Sequence, residues 1–233
     1  MNGEGNQLYF YMIRCKTKTS FKFGGPWSRG YDVAFTRRRS GVQISAGPSN
    51  LMNEGERMCE VIFDIDGVVI DILTMILDIY NGRYKEDYKS SQIDNWDLSD
   101  LSLEKEGIFE LFHEIYLIPE ENIQYYPMGI DLIKKYEDKT IAFITGRDRR
   151  YNFYTKRSLD HIFEENDLDI SYAIYNSTTK YDDFEGLYRD CLIYYEDSPK
   201  IFPMLYDINK NGFLVAHNYN RELWDKFPTV NVC

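Results

Sequence analysis

The stretch "CEVIFDIDGVVID", residues 59–71, joins an apolar run to a pair of acids. Residues 60–64 are rich in β-branched and aromatic side chains and are too short for a buried helix, so they predict a strand. Asp64 and Asp66 end this strand, and Gly67 follows at once. Stability alone does not call for two carboxylates and a glycine there, so the stretch predicts chemistry at the strand's end.

Four more apolar runs of strand length follow along the chain. They are residues 140–145, 170–175, 191–195 and 213–216. Helical patterns occupy residues 151–165 and 199–209 between the later runs. Alternating strands and helices predict an α/β fold whose parallel sheet is covered by helices on both faces.

The segment between the first two strands is far longer than one crossover helix needs. It contains helical patterns at residues 71–82, 103–117 and 129–137, and the last of these can serve as the crossover. The remainder, about residues 72–127, is expected to form a small helical cap inserted after the first strand. Ligands of open α/β sheets bind beyond the carboxyl ends of the strands, so this cap should sit over the site.

Polar residues recur at the predicted strand ends in a fixed order. They are Asp64 and Asp66, Thr145 and Gly146 in "FITGRD", Lys180, and Glu196 and Asp197 in "YYEDSPK". Each has an ordinary explanation by itself: a turn, a strand terminator, a solvated lysine or a helix cap. Their joint order at the same end of successive strands favours one shared site.

These residues resemble the four motifs of the haloacid dehalogenase-like (HAD) phosphatases. Asp64–Gly67 matches the DxDG motif, and Thr145-Gly146, Lys180 and Glu196-Asp197 match the other three. The resemblance covers residues 60 to about 220 and implies a Rossmann-like sheet. It also implies a Mg²⁺-dependent phosphomonoesterase, and Asp66 favours hydrolysis over dehalogenation.

The resemblance assigns a role to each acid. Asp64 would be the nucleophile and form an aspartyl-phosphate. Asp66 would protonate the leaving oxygen and then deprotonate the attacking water. A dianionic phosphate repels carboxylates, so Mg²⁺ would be held by Asp64, the main-chain oxygen of Asp66 and Asp197.

The same resemblance assigns the phosphate contacts. Thr145 and the Gly146 amide would hold phosphate oxygens, and Lys180 would offset charge in the transition state. Arg147 could reach the phosphate, but a solvated position at a helix start is the expectation for it.

Two short segments resemble the 5'(3')-deoxyribonucleotidase branch of that family. They are the cap sequence of residues 76–101, with its "YN" and "WDL" pieces, and "AHNYNRE", residues 216–222. This likeness implies a nucleoside monophosphate substrate, whose base needs an aromatic stacking wall. Trp96 is the candidate for that wall. Three aromatic residues of a cap helix, Phe109, Phe112 and Tyr116, are expected to be cap core.

Composition argues against several classes of function. The net charge of −11 disfavours a polynucleotide binder. The four cysteines have no CxxC pair, so neither a disulfide framework nor a zinc site is indicated. No apolar run is long enough for a membrane span, and no secretory signal is recognisable, so a cytoplasmic location is expected. His113, His161 and His217 have no ligand spacing and are assigned no chemistry.

The basic N-terminal segment differs from the rest. Residues 1–57 hold 9 Lys/Arg and 4 Asp/Glu, a net of +5, and the remainder therefore carries −16. A basic arm around residues 37–39 and a solvated tail are two interpretations. A third fits better, because "VAFTRRR" and "GVQI" can encode the anticodon arm and T loop of a tRNA gene. We therefore expect residues 1–57 to be a non-native, poorly structured extension, translation to start at Met52 or Met58, and residues 58–233 to form the hydrolase domain.

The favoured function is a 5'-nucleotidase-type phosphomonoesterase, and a homodimer is compatible with it. Two alternatives stay open at this point. One is a phosphatase for another small metabolite, such as a sugar phosphate. The other is a catalytically silent binding or regulatory module with the same fold.

Overall fold

The computed structural model describes residues 10–11, 59–177 and 180–231. Seven strands form one sheet: β1 Phe10–Tyr11, β2 Val61–Phe63, β3 Ile141–Thr145, β4 Tyr172–Asn176, β5 Ile193–Glu196, β6 Gly212–Ala216 and β7 Thr229–Asn231. The α-helices in these ranges are α1 Ile72–Tyr84, α2 Lys105–Ile115, α3 Pro127–Lys134, α4 Asn152–Glu165, α5 Lys180–Asp190 and α6 Phe202–Ile208.

The strand order across the sheet is β1-β4-β3-β2-β5-β6-β7. Strands β2 to β7 are parallel to their neighbours, and β1 pairs with β4 in the antiparallel sense. The central strand β2 lies between β3 and β5, so the chain order reverses at β2. Such a reversal opens a crevice beyond the strands' carboxyl ends, which is the usual ligand position in α/β sheets.

Helices cover both faces of the sheet, which confirms the predicted fold class. Val61 and Phe63 pack into one buried cluster with apolar side chains of α1, α2, α3 and α4. Ile62 points to the other face, where it packs with side chains of α5 and α6. Because both faces are buried, β2 is a continuous apolar run and not an alternating one. Each such fully buried side chain stabilises the fold by about 1.5–3 kcal/mol.

The helical insertion lies between β2 and β3, and its two ends leave the sheet side by side. Ile70 and Tyr125 form an antiparallel bridge. The Tyr126 amide donates to the Val69 carbonyl at 2.9 Å. Asp71 caps α1 by accepting from the Thr74 amide at 3.0 Å. Helices α1 and α2 pack against each other within the insertion. The insertion is thus anchored next to the end of β2, where the acids lie.

Several elements differ from the sequence prediction. Helix α3 begins at Pro127, two residues early, because proline is well suited to the first turn of a helix. Helix α6 begins at Phe202, later than predicted. Strands β1 and β7 were not predicted, since they are only two and three residues long.

The prediction for residues 1–57 lies outside the described residues except at Phe10–Tyr11, which pair with Tyr175 and Ile174. Within the described ranges, no helix is long and apolar enough to cross a membrane.

Candidate active site

Three carboxylates meet at the carboxyl ends of β2 and β5. Asp64, Glu196 and Asp197 are at most 5 % exposed, and ligand oxygens of the three lie within 4.8 Å of one another. The strands bring them together because Phe63 lies opposite Tyr195 in the parallel pair. Buried like charges at this spacing repel each other unless a cation neutralises them. Oxygen ligands of this type suit Mg²⁺, so the donor set fits the expected ion.

Local hydrogen bonds orient two of these carboxylates. Asp64 Oδ1 accepts from the Ile65 amide at 2.7 Å. Glu196 Oε1 accepts from the Ser198 amide at 3.2 Å. Glu196 was recognised as part of a motif but not predicted as a ligand. Its side chain joins the cluster because it ends β5 beside β2.

The third carboxylate is held by the segment after β6. The Tyr219 hydroxyl donates to Asp197 Oδ2. Asn220 is fully buried, and its Nδ2 donates to the Asp197 carbonyl at 2.7 Å and to the Val215 carbonyl at 2.8 Å. These partners fix the direction of the Asp197 carboxylate and of the backbone beside it, as outer partners do around metal ligands. Asn220 belongs to the "NYNR" piece that the sequence singled out without a defined role.

Gly67 makes the tight turn that places the acids. Its φ is +81°, and a Cβ there would lie 2.2 Å from Asp197 Oδ2. Only glycine has space at this position and tolerates the left-handed conformation without strain. The buried His217 stacks on Tyr219 with ring centroids 4.9 Å apart, and its Nε2–H donates to the Gly67 carbonyl at 2.6 Å. Burial lowers the pKa of His217, although the bond to Gly67 opposes this.

Asp66 is paired with a buried arginine. Arg147 Nε donates to Asp66 Oδ2 at 2.8 Å, and Nη2 donates to Oδ1 at 2.5 Å. Arg147 is 3 % exposed, so the expectation of a solvated position was wrong. The turn after β3 explains the difference, because the Arg147 amide donates to Thr145 Oγ1 at 3.2 Å. That turn directs the side chain back toward β2 and not into solvent. A bidentate Arg–carboxylate pair also fixes the plane of the Asp66 carboxylate.

The other expected phosphate contacts follow the ends of β3 and β4. Thr145 is fully buried at the end of β3, and Gly146 is exposed directly after it. A Cβ added at Gly146 would meet no described atom within 4 Å, so its backbone is open to a ligand. Lys180 is the first residue of α5. Its side chain lies outside the described residues.

A pocket lies between the insertion and the segments that follow β5 and β6. It encloses about 380 Å³ and is lined by Asp94, Asn95, Trp96, Asp97, Pro199, Lys200, Asn218, Tyr219, Arg221 and Glu222. Lys200 Nζ lies 5.2 Å from the centroid of the Trp96 ring. Tyr219 connects this pocket to the acid cluster, because its hydroxyl reaches Asp197. Trp96 therefore lines a pocket whose wall includes a hydrogen-bond partner of Asp197.

The three aromatic residues of α2 and its end differ in burial. Phe112 and Tyr116 are partly buried and pack against the main core, in line with the expectation. Phe109 is 59 % exposed, so the prediction that it belongs to the cap core was wrong. It lies on the solvent side of an amphipathic helix, with Lys105 Nζ 5.5 Å from its ring centroid.

Comparison with known proteins gives structural likeness only. No family model matches the chain, and no curated protein matches it by sequence. A haloacid dehalogenase-like hydrolase from Streptococcus pneumoniae is 14 % identical with a TM-score of 0.49, over 74 % of this chain and 93 % of that one. A hydrolase from Pseudomonas syringae is 13 % identical with a TM-score of 0.45, over 74 % and 91 %. A predicted phosphoglycolate phosphatase from Haemophilus somnus is 14 % identical with a TM-score of 0.43, over 73 % and 92 %.

Proposed function

We propose that this chain is a Mg²⁺-dependent phosphomonoesterase that hydrolyses small phosphate esters through an aspartyl-phosphate at Asp64. One observation carries the proposal: Asp64, Glu196 and Asp197 converge at the carboxyl ends of adjacent parallel strands, and Asp66 lies two residues after Asp64. Stability does not require such a convergence, because buried like charges repel one another.

The charges at the site explain the need for a cation. Asp64, Asp66, Glu196 and Asp197 carry up to four negative charges, and Arg147 offsets one of them. A phosphate dianion would be repelled by the remainder. Asp64, Asp197 and the main-chain oxygen of Asp66 would hold Mg²⁺, and the structure adds Glu196 to the carboxylates around that position. When bound, the ion neutralises this charge and orients a phosphate oxygen.

The proposed reaction has two steps. In the first, Asp64 forms a bond to phosphorus while the bond to the leaving oxygen breaks, and Asp66 gives that oxygen a proton. In the second, Asp66 takes a proton from water as the water oxygen attacks phosphorus. The bond to Asp64 then breaks and inorganic phosphate leaves. The exposed Gly146 backbone borders the space where the phosphoryl group would sit.

We propose nucleoside monophosphates as the substrates. The pocket beside the acids has a flat aromatic wall in Trp96 and polar groups around it, including Asn95, Asn218 and Lys200. A base can stack on such a wall while its edge makes hydrogen bonds. The exposed fraction of Trp96, 39 %, leaves ring surface for that contact.

Replacement of Asp64 tests the chemistry. Asp64→Asn should abolish Mg²⁺-dependent phosphate release, and Asp131→Asn on the exposed side of α3 should leave release unchanged. Full activity of Asp64→Asn would reject the mechanism. If wild type binds Mg²⁺ but releases phosphate from no ester, the silent binding module replaces the enzyme proposal.

A screen of phosphate esters tests the substrate class. Nucleoside monophosphates should give higher kcat/KM values than sugar phosphates of similar size. Equal values for both classes would reject the nucleotide assignment and leave a phosphatase for other small metabolites.

A further inference from the structure

The insertion reaches the catalytic acids through one aromatic ring. Tyr116 follows the last residue of α2, and the Arg147 guanidinium carbon lies 4.6 Å from the centroid of its ring. On its other side Arg147 makes the bidentate pair with Asp66. Ring, guanidinium and carboxylate thus form a continuous chain of contacts from the cap to the proposed proton donor.

We propose that Arg147 and Tyr116 are positioning residues for Asp66. Tyr116 holds the Arg147 guanidinium in place, and Arg147 holds the Asp66 carboxylate in the orientation needed for proton transfer. This rests on the proposed function, and it adds that proton transfer depends on the docked cap.

Arg147 is constrained at each end. Its backbone carbonyl accepts from Asn176 Nδ2 at 3.1 Å, and its amide donates to Thr145 Oγ1 at 3.2 Å. Its Nη1 donates to Thr155 Oγ1 of α4 at 3.3 Å. With these contacts the guanidinium has little freedom beyond the plane that it shares with Asp66. An arginine serving only to balance charge would not need backbone and side chain fixed together.

Tyr116 belongs to a wider contact between cap and sheet. The Tyr116 and Tyr151 rings lie 5.0 Å apart, and His113 Nδ1 is 2.5 Å from the Tyr151 hydroxyl. Tyr151 follows β3 on the same segment as Arg147. The end of α2 therefore docks on this segment, and displacement of the cap would remove the ring from Arg147.

The geometry leaves Asp66 able to act. Arg147 gives one N–H to each carboxylate oxygen, and an oxygen of this type has a further acceptor site. Either oxygen can therefore carry a proton toward the crevice while the arginine still sets its direction. Orientation of this kind matters because proton transfer requires close, aligned atoms.

Two esters separate positioning from other roles. An alkyl phosphate has a poor leaving group, whose oxygen must receive a proton as its bond to phosphorus breaks. p-Nitrophenyl phosphate has a good leaving group, which departs without a proton. The assay is the rate of the first turnover with each ester, measured by rapid mixing in saturating Mg²⁺. Thermal unfolding of each variant shows whether it folds.

The variants are Arg147→Ala, Arg147→Lys, Tyr116→Ala and Tyr116→Phe, with Phe109→Ala as the control on the exposed side of the same cap helix. First turnover of the alkyl ester should fall about 100-fold in Arg147→Ala, the size of a general-acid contribution. It should fall about 10-fold in Tyr116→Ala, in line with a lost cation–π contact. Tyr116→Phe should stay near wild type, and Arg147→Lys should recover only part of the rate, because lysine lacks the bidentate fork.

The aryl ester gives the decisive contrast. Its first turnover should change less than about 3-fold in all variants, while later turnovers slow, because the second step also uses Asp66. p-Nitrophenolate would therefore appear in a burst whose amplitude is close to the enzyme concentration. Equal first-turnover losses on both esters, or no loss on either, would overturn the positioning roles. Failure of the proposed function itself looks different, since wild type would then release phosphate from neither ester.

Discussion

Replacement of Gly67 by alanine is expected to damage the proposed cation site more than the fold. The added Cβ would lie 2.2 Å from Asp197 Oδ2 and 3.0 Å from the Tyr219 hydroxyl oxygen. Asp197 is buried and bonded to Tyr219, so it cannot swing freely away. To restore an ordinary contact, the carboxylate or the turn must move by about 1 Å.

This geometry lowers both the stability of the fold and the affinity for Mg²⁺. A non-glycine residue at a φ of +81° is strained by about 1–2 kcal/mol, which lowers the free energy of unfolding. Metal ligands are effective only within about 0.2 Å of their proper distance, so a 1 Å shift removes one ligand from the site. Perturbing a ligand's support lowers metal affinity about 10- to 100-fold.

Urea denaturation without Mg²⁺ measures the loss in free energy of unfolding, and the same titration with Mg²⁺ adds the effect of weaker ion binding. Calorimetric titration measures the Mg²⁺ affinity directly. The matched control is Gly82→Ala in α1, where an added Cβ meets no described atom within 4 Å. That change should raise stability by about 0.5–1 kcal/mol, because alanine suits a helix better than glycine. Wild-type Mg²⁺ affinity in Gly67→Ala would refute the reasoning.

Three other predictions concern different parts of the chain. Trp96→Ala should raise KM for nucleoside monophosphates about 10-fold and leave KM for small alkyl phosphates unchanged; an equal effect on both would exclude base stacking. Burial lowers the pKa of His217 below its ordinary 6.5, so the folded protein binds this proton less readily than the unfolded chain. The free energy of unfolding should therefore fall as pH drops below about 6.5, and His217→Phe should flatten that dependence in urea titrations. A chain that begins at Met58 should keep its phosphate release and unfold within about 1 kcal/mol of the full chain; loss of activity would show that the first 57 residues are needed.

Much of the fold was predictable because its signals are local. Short apolar runs separated by helical periodicity predicted β2 to β6 and the helices on both faces. The long gap after β2 predicted the insertion. The two-residue β1 and three-residue β7 were not predictable, because their pairing depends on neighbouring strands and not on their own composition.

The candidate site was likewise predictable only in part. Asp64, Asp66 and Asp197 were identifiable because each lies at the end of an apolar run or within two residues of it, and because each matches a family motif. Arg147 was missed because an arginine after a strand is usually solvated, and nothing local indicates which way its side chain turns. Phe109 was misplaced for a related reason, since an aromatic residue on an amphipathic helix can lie on either side of the boundary.

By itself the sequence determined that strands end in acids, and at which positions, because strand length and residue type are local properties. The tertiary structure alone decided which acids form one buried cluster and which acid pairs with Arg147. Those contacts join residues more than 80 positions apart in the chain. They depend on strand order and on the direction of the turn after β3, and neither can be inferred from the sequence of a single segment.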